Sequence, residues 1–306
     1  MVWPDGKRFA FTVFDDPDSQ TLTDGEKVYA LLHDLGLRTT KAVWPIRGAG
    51  IPSDHGGTCG EPAYRAWAER LQVQGFEIAY HNATSHTSGR HDTVRALDAF
   101  RSYFGTDPVA MANHYNCEEA VYWGDARVTG MQRTLYNVLT RGKNRGKFVG
   151  HVEGHPYFWG DVCRDRIRYV RNFVFADVNT LAACPFMPYH DPQRPFVRAW
   201  FAASEGADCA SFVARIDEHA QEQLEAEGGL CIMYAHFGHG FVEHGTLNGR
   251  FVDLMKRMSL RNGWFVPASV VLDYLASARS SPPLGDRDRR ALERRWLWHK
   301  VKFGTA

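Results

Sequence analysis

The sequence alternates between short apolar runs and longer stretches in which apolar residues recur with a helical period. The short runs are rich in β-branched and aromatic residues, which is typical of strands. They lie near residues 9–14, 39–46, 76–80, 109–115, 147–152, 197–202, 230–235 and 264–266. The clearest amphipathic stretches span residues 22–35, 61–74, 91–104, 208–227, 247–259 and 268–278. This alternation predicts an α/β protein.

The number of strand–helix repeats favours a barrel over an open sheet. About seven such units fit into the 306 residues, and a single (β/α) barrel commonly uses a chain of this length. No glycine-rich dinucleotide-binding fingerprint follows the first strand, which disfavours a doubly wound nucleotide-binding sheet. We therefore predict a (β/α) barrel with about seven strand–helix units.

Charge and hydropathy exclude several classes of function. The 36 Lys and Arg residues nearly balance the 35 Asp and Glu residues, so no global positive field attracts nucleic acid. No apolar run approaches the roughly 18 residues that would span a bilayer. The N-terminal residues lack the pattern of a signal peptide, and we expect a cytoplasmic protein. The six cysteines include no Cys-x-x-Cys pair, which indicates free and mostly buried thiols.

The C-terminal part of the chain is predicted to be separate from the barrel. The run 280–285 reads as a linker between a barrel domain over 1–279 and a basic amphipathic helix near the C-terminus. We favour packing of this helix on the barrel or on another copy of the chain, which would form a homo-oligomer. Peripheral contact with an anionic membrane is the alternative.

Two adjacent carboxylates, Asp15 and Asp16, stand where the first strand ends. This end of a barrel faces the active site. Adjacent strand residues point to opposite sides, so one carboxylate can bind a metal ion while the other handles protons. The alternative is an Asp turn that caps the next helix.

Histidines follow two further strands. His81 and His86 come after the run 76–80, and His91 begins the next helix. Two imidazoles and a carboxylate suit zinc or a similar divalent ion. The alternative is that the two loop histidines lie on the surface and bind no metal. His236 follows the run 230–235 and is a candidate general acid. A separate metal site formed by His236 and the neighbouring His239 and His244 is the alternative.

The order of these residues resembles the polysaccharide deacetylase family. The resemblance spans about residues 9–278 and includes the closing run Gly-Trp-Phe-Val-Pro-Ala at 263–268. It implies a distorted (β/α) barrel and metal-dependent hydrolysis of an N-acetyl group on a sugar. It also implies a role for each candidate residue, with Asp15 as catalytic base, His236 as catalytic acid, and Asp16, His81 and His86 as metal ligands.

The sequence departs from the family pattern at several positions. Four residues separate His81 from His86 where the family has three, Pro17 replaces the usual Gly, and the run 112–117 replaces an Arg-x-Pro segment. We therefore expect a divergent member in which His114 either partners Asp15 in place of the Arg or is a core histidine. Aromatic side chains offer flat faces to sugar rings, and the candidates for substrate binding are His114, Tyr115 and Trp123.

The resemblance implies a deacetylase that acts on an amino sugar or a glycan precursor and uses a divalent metal ion, with zinc as the most compatible metal. Two alternatives stay open, namely a carbohydrate-binding or scaffold protein without activity, and hydrolysis of another C–N bond. The basic segment 141–147 is predicted to be a turn exposed to solvent. Alternatively, its cations could contact a phosphate group on the substrate.

Overall fold

The computed structural model describes residues 2–279 and 283–306. Seven parallel strands form a closed barrel in which each strand pairs with the next and the seventh pairs with the first. They are β1 (Phe9–Asp15), β2 (Thr40–Val43), β3 (Glu77–Tyr80), β4 (Ala110–Met111), β5 (Tyr169–Phe175), β6 (Ala199–Ser204) and β7 (Leu230–Ala235). The predicted barrel of about seven units is therefore confirmed.

Closure of the barrel is uneven. The β1–β7 pairing runs in register from Ala10 opposite Leu230 to Asp15 opposite Ala235, whereas β6 and β7 share a single pair. A hairpin of β8 (Val242–Glu243) and β9 (Thr246–Leu247) follows β7. The short strand β10 (Gly263–Trp264) adds to the other edge of β1. The barrel is thus distorted, because β1 has three neighbouring strands.

The helices cover the barrel. They are α1 (Leu22–Asp34), α2 (Pro62–Val73), α3 (Arg90–Phe104), α4 (Gly130–Leu139), α5 (Gly160–Arg166), α6 (Thr180–Ala183), α7 (Cys209–Arg215), α8 (Glu218–Ala226), α9 (Gly249–Ser259), α10 (Ala268–Ala278) and α11 (Asp286–Phe303). Two short 3-10 helices span Pro4–Gly6 and Gly124–Arg127.

Two sequence-based expectations need correction. The run 147–152 forms turns rather than a strand, and the strand at this point of the barrel is β5. Residues 208–227 form two helices, because the Asp217 side chain accepts the backbone N–H of Ala220 and starts a new helix. The sequence analysis did not predict β5, in which every residue is buried, including the polar Arg171 and Asn172. These polar residues interrupt the apolar pattern that would have revealed the strand.

All residues of β1, β5 and β7 are buried, as is usual for parallel strands covered on both faces. The six cysteines are also buried and free, which confirms the expectation from their spacing. Because polar groups in such strands cannot reach bulk water, each needs a partner within the protein.

The C-terminal helix α11 packs on the barrel. Trp296 is fully buried, and its ring stacks on Tyr136 of α4 at 5.7 Å between centroids. Glu293 is also buried and accepts hydrogen bonds from Thr129 and Arg194. Trp298 is 53% exposed, so of the two tryptophans of α11 only Trp296 is buried against the barrel.

The predicted linker lies partly outside the described residues, which resume at Pro283. Among the helices that the structure describes, none is both long and apolar enough to span a bilayer.

Candidate metal centre and active site

Loops at the carboxyl ends of β1, β3, β4 and β7 surround a cavity of about 460 Å³. His81 and His236 each follow directly after a strand, β3 and β7 respectively. The cavity is lined by acidic, basic and aromatic side chains that include Asp16, Asp18, His81, His114, Tyr115, Trp123, Arg171 and His236. The barrel thus brings together residues that lie far apart in the sequence.

Asp18, His81 and His114 are buried and converge at the bottom of this cavity. The Nε2 atom of His81 lies 3.3 Å from Asp18 Oδ2, and the Nδ1 atom of His114 lies 3.2 Å from Asp18 Oδ1. The two ring nitrogens are 3.3 Å apart. One carboxylate and two imidazoles at this spacing form a donor set that suits a divalent metal ion.

The hydrogen bonds of His114 support this donor set. The Ser53 hydroxyl donates to the backbone oxygen of Ser85, so its oxygen is free to accept the Nε2–H of His114 at 3.0 Å. The Nδ1 atom of His114 then directs a lone pair at the carboxylate of Asp18. Two acceptor atoms this close require a proton or a metal ion between them, and the residues present therefore fit a metal.

The two histidines also favour the charged form of Asp18. Burial alone would raise the pKa of Asp18, but the adjacent imidazoles of His114 and His81 hold the pKa well below its usual range. Asp18 is therefore ionised at neutral pH and available as a ligand.

Asn82 and Glu119 connect the two histidine loops. Asn82 adopts a φ of +61°, and its side-chain oxygen accepts the backbone N–H of His114 at 3.0 Å. Its amide group donates to Glu119, which also accepts the backbone N–H of Ser88. Burial raises the pKa of Glu119 to about 7. This network fixes the backbone that presents His81 and His114.

Asp16 lies beside these three residues and forms a buried bidentate ion pair with Arg171 of β5. The guanidinium of Arg171 lies 4.3 Å from the centre of the Tyr234 ring. Burial would lower the pKa of Arg171, but the carboxylate of Asp16 raises it. Arg171 therefore keeps Asp16 oriented, with Oδ1 at 3.6 Å from the Nδ1 atom of His81.

His236 is held from the opposite side of the cavity. Its Nδ1–H donates to the backbone oxygen of Ala207 at 2.8 Å, and the Tyr234 hydroxyl lies 3.0 Å from Nε2. The same Nε2 atom is 4.0 Å from Asp16 and 3.8 Å from Asp18. His236 thus directs one nitrogen at both carboxylates and can exchange a proton there.

The structure does not place Asp15 at the cavity. Its side chain is fully buried and pairs with Lys41 at 2.8 Å, while accepting hydrogen bonds from Gln20, Tyr29 and the backbone of Phe237. Burial raises the pKa of Asp15, and Lys41 opposes that effect. The reason is strand alternation, because Asp15 and Asp16 point to opposite sides. Asp15 links β1 to β2 and to the loop after β7.

The structure also separates His86 from the other candidate ligands. Its Nε2 atom accepts the backbone N–H of Gly50, and its Nδ1 atom lies 2.9 Å from the backbone oxygen of Thr87. The chain turns at Thr84, whose hydroxyl accepts the backbone N–H of His86. His91 lies in the first turn of α3, with its side chain 92% exposed. The histidine that the structure brings next to His81 and Asp18 is His114 and not His86.

The remaining candidates, Tyr115 and Trp123, are among the residues that line the cavity. Tyr115 is 58% exposed and Trp123 is half-buried, and their contact with a substrate stays a prediction. The sequence analysis missed Asp18 and Arg171. Asp18 carries a signal, since it ends the run Asp-Asp-Pro-Asp in which Pro17 redirects the chain. No local pattern marks Arg171, because its role depends on the pairing of β5 in the barrel.

No family model and no curated protein matches this sequence. Solved structures do match it over nearly the whole chain. A structure described as a putative polysaccharide deacetylase from Mycobacterium smegmatis has 12% identity and a TM-score of 0.54, covering 94% of this chain and 96% of that chain. PuuE allantoinase has 12% identity and a TM-score of 0.51, covering 90% and 93%. At this identity the similarity shows the fold, which is the barrel implied by the family resemblance.

Proposed function

We propose that the protein is a metal-dependent hydrolase that removes an N-acetyl group from an amino sugar or a glycan precursor. The observation that carries the proposal is the convergence of His81 and His114 on the carboxylate of Asp18 beside the Asp16–Arg171 pair. The shared barrel fold supports it, because the deacetylase resemblance of the sequence and the fold similarity point to the same class of protein.

Asp18, His81 and His114 would hold the ion, for which zinc is the most compatible metal. When bound, a divalent ion in such a site activates a water molecule and polarises the acyl carbonyl.

The protein's own side chains then move the protons. Asp16, oriented by Arg171, accepts the proton of the attacking water. His236 keeps its Nδ1–H bond to Ala207 and, as an imidazolium, donates the Nε2 proton to the departing nitrogen. Water adds to the acyl carbon, the C–N bond breaks, and acetate and a free amine leave.

Hydrolysis of another C–N bond is the second candidate. The size of the cavity favours it, since a space of about 460 Å³, lined in part by Phe148 and Lys300, suits a small molecule. The cytoplasmic location and the homo-oligomer stay predictions from the sequence.

Metal analysis of the purified protein tests the proposed ligand set. We expect one divalent ion per chain, lost in Asp18→Ala and His114→Ala but retained in His86→Ala, which serves as the matched control. Acetate release from N-acetyl amino sugars is measured on the same preparations. Retention of the ion in His114→Ala together with its loss in His86→Ala would overturn the assignment, and a metal-free protein under replete conditions would favour a binding or scaffold role.

A further inference from the structure

The outer wall of the cavity is cationic. Arg127, Lys143, Lys147 and Lys300 all line it, as does the amide side chain of Asn144. These cations come from three separate elements, namely the 3-10 helix at Gly124–Arg127, the basic turn 141–147 and α11. Their gathering on one wall is therefore a property of the fold and not of a local charge run.

The carboxylates that line the same cavity already have partners. Asp16 pairs with Arg171, and Asp18 lies against His81 and His114. Asp54 accepts the backbone N–H and the hydroxyl of Ser19. Within the described residues, no carboxylate side chain forms an ion pair with any of the four cations of the wall. Ala306 also lines the cavity, and its oxygen accepts the Nε1–H of Trp296. The acidic side chains of the cavity thus have partners, whereas the four cations have no carboxylate side chain of the described residues as a partner.

Arg127 is the most informative member of this wall because its side chain is only 3% exposed. The guanidinium lies 4.0 Å from the centre of the Trp123 ring and 4.4 Å from that of Trp296. One nitrogen donates to the backbone oxygen of Asn172, while the buried Nε atom has no hydrogen-bond partner. A buried cation without an anion is costly, and a bound anion would offset that cost. Burial accordingly lowers the pKa of Arg127 to about 9.

Like Arg127, Lys300 lines the cavity, lies beside the Trp296 ring and forms no ion pair with a carboxylate side chain of the described residues. Its amine donates to the backbone oxygen of Thr305 at 3.0 Å and lies 5.6 Å from the centre of the Trp296 ring. Burial, with a smaller contribution from Arg127, lowers the pKa of Lys300 to about 8. Arg127 and Lys300 therefore share the Trp296 ring while repelling each other, an arrangement that an anion between them would stabilise.

We propose that this wall is a phosphoryl-binding subsite, so that the substrate is an N-acylated amino sugar that carries a phosphate. The inference rests on the proposed function, because the wall belongs to the same cavity as Asp18, His81 and His114. A phosphate offers several terminal oxygens and up to two negative charges, which match one planar guanidinium and three ammonium groups. The phosphate is held at the cationic end while the acyl group meets the acidic end.

Binding of reaction products tests the subsite without turnover. The probes are glucosamine 1-phosphate and glucosamine, titrated calorimetrically into the full-length, metal-loaded protein. We expect the phosphorylated probe to bind at least about tenfold more tightly. The double variant Lys143→Ala/Lys147→Ala should lose most of this preference, since it removes two cations from the wall.

The double variant Arg141→Ala/Arg145→Ala is the matched control. It removes the same charge from the same turn, but neither residue lines the cavity, so the preference should stay as in the wild type. Equal binding of both probes by the wild type would overturn the subsite, as would an unchanged preference in Lys143→Ala/Lys147→Ala. An equal loss in both double variants would point to general electrostatic attraction and would also overturn it.

Turnover separates this inference from the proposed function. Deacetylation of neutral N-acetylglucosamine with no preference for its 1-phosphate would leave the function intact and reject the subsite. Preferred binding of glucosamine 1-phosphate without any acetate release would support the subsite and reject the deacetylase. Two further substrates are compared for turnover. One is N-acetylglucosamine 1-phosphate in solution, and the other is the same group attached to a polyprenyl chain in detergent. Faster turnover of either one supports the subsite and identifies the source of the phosphate.

Discussion

At the scale of single residues, three carboxylates in one short run have three different environments. Asp15 pairs with Lys41 away from the cavity, Asp16 pairs with Arg171 at the cavity, and Asp18 faces two imidazoles. Strand alternation separates Asp15 from Asp16, and Pro17 lets the chain bring Asp18 to the same side as Asp16. Sequence alone could indicate carboxylate chemistry at this strand end but not the role of each residue.

The first prediction concerns Asp16. We expect Asp16→Asn to keep the metal ion but to lower kcat by about 100-fold or more, because an amide cannot accept the water's proton. Metal content and acetate release are measured together on the purified variant.

Asp15→Asn is the comparison for that experiment. It leaves Lys41 buried without its charged partner, so it should lower the free energy of unfolding by about 3 kcal/mol or more. If Asp15→Asn instead abolished turnover in a protein of normal stability while Asp16→Asn stayed active, the two roles would be exchanged.

The second prediction concerns Glu119, whose pKa burial raises to about 7. In the unfolded chain the pKa of this carboxyl returns to its ordinary value of 4.5. The folded protein therefore binds the proton more tightly, and the contribution of Glu119 to stability falls as the pH rises between these two values. The slope is about 1.4 kcal/mol per pH unit at most.

The variant Glu119→Gln checks this dependence, since it cannot ionise. Urea unfolding at pH 5 and pH 8 should show that the stability advantage of the wild type over Glu119→Gln shrinks with rising pH. An advantage that grows with pH would mean that the two N–H donors around Glu119 stabilise its charged form more than burial destabilises it.

At the scale of elements, helices with a regular amphipathic pattern could be predicted from the sequence. A strand whose apolar pattern is interrupted by polar residues could not. The limits of α1 and α10 differ from the expected ones by at most one residue, because their apolar faces are uninterrupted. The sequence analysis missed strand β5 because Arg171 and Asn172 interrupt its apolar run. Arg171 pairs with Asp16 in the folded protein. Residues 147–152 resemble a strand locally, although they form turns at the edge of the cavity.

The third prediction concerns helix α11. Trp296→Ala should lower the free energy of unfolding by about 3–5 kcal/mol, because it empties a buried site against Tyr136 and Arg127. Trp298→Ala, on the exposed side of the same helix, should change it by less than about 0.5 kcal/mol. Urea unfolding of both variants provides the measurement, and equal effects would show that α11 does not dock through Trp296.

At the scale of the whole molecule, the barrel and its C-terminal helix line one cavity together. Sequence analysis predicted only that this helix packs on the barrel or on another copy of the chain, and all candidate catalytic residues precede it. The structure adds Lys300 to the cavity and Glu293 to a buried cluster with Arg194. This contribution was not predictable, because it depends on how a terminal helix returns to the mouth of the barrel.

The fourth prediction follows from that placement. Deletion of residues 286–306 should reduce stability and also raise KM in any protein that still folds, because Lys300 and the Trp296 face of the Arg127 site are lost. Lys300→Ala in the full-length chain isolates the second effect. An unchanged KM in Lys300→Ala would show that α11 contributes to folding alone.

Because the six cysteine thiols are buried and free, their alkylation rates measure how often the structure around each one opens. A thiol reacts only as a thiolate that the reagent can reach, and burial raises the pKa of Cys209 to about 11 and that of Cys231 to about 12. Cys209 is 5% exposed at the start of α7, whereas Cys231 in β7 is fully enclosed. Alkylation of Cys209 should therefore register local fraying of α7, and alkylation of Cys231 should wait for the barrel itself to come apart.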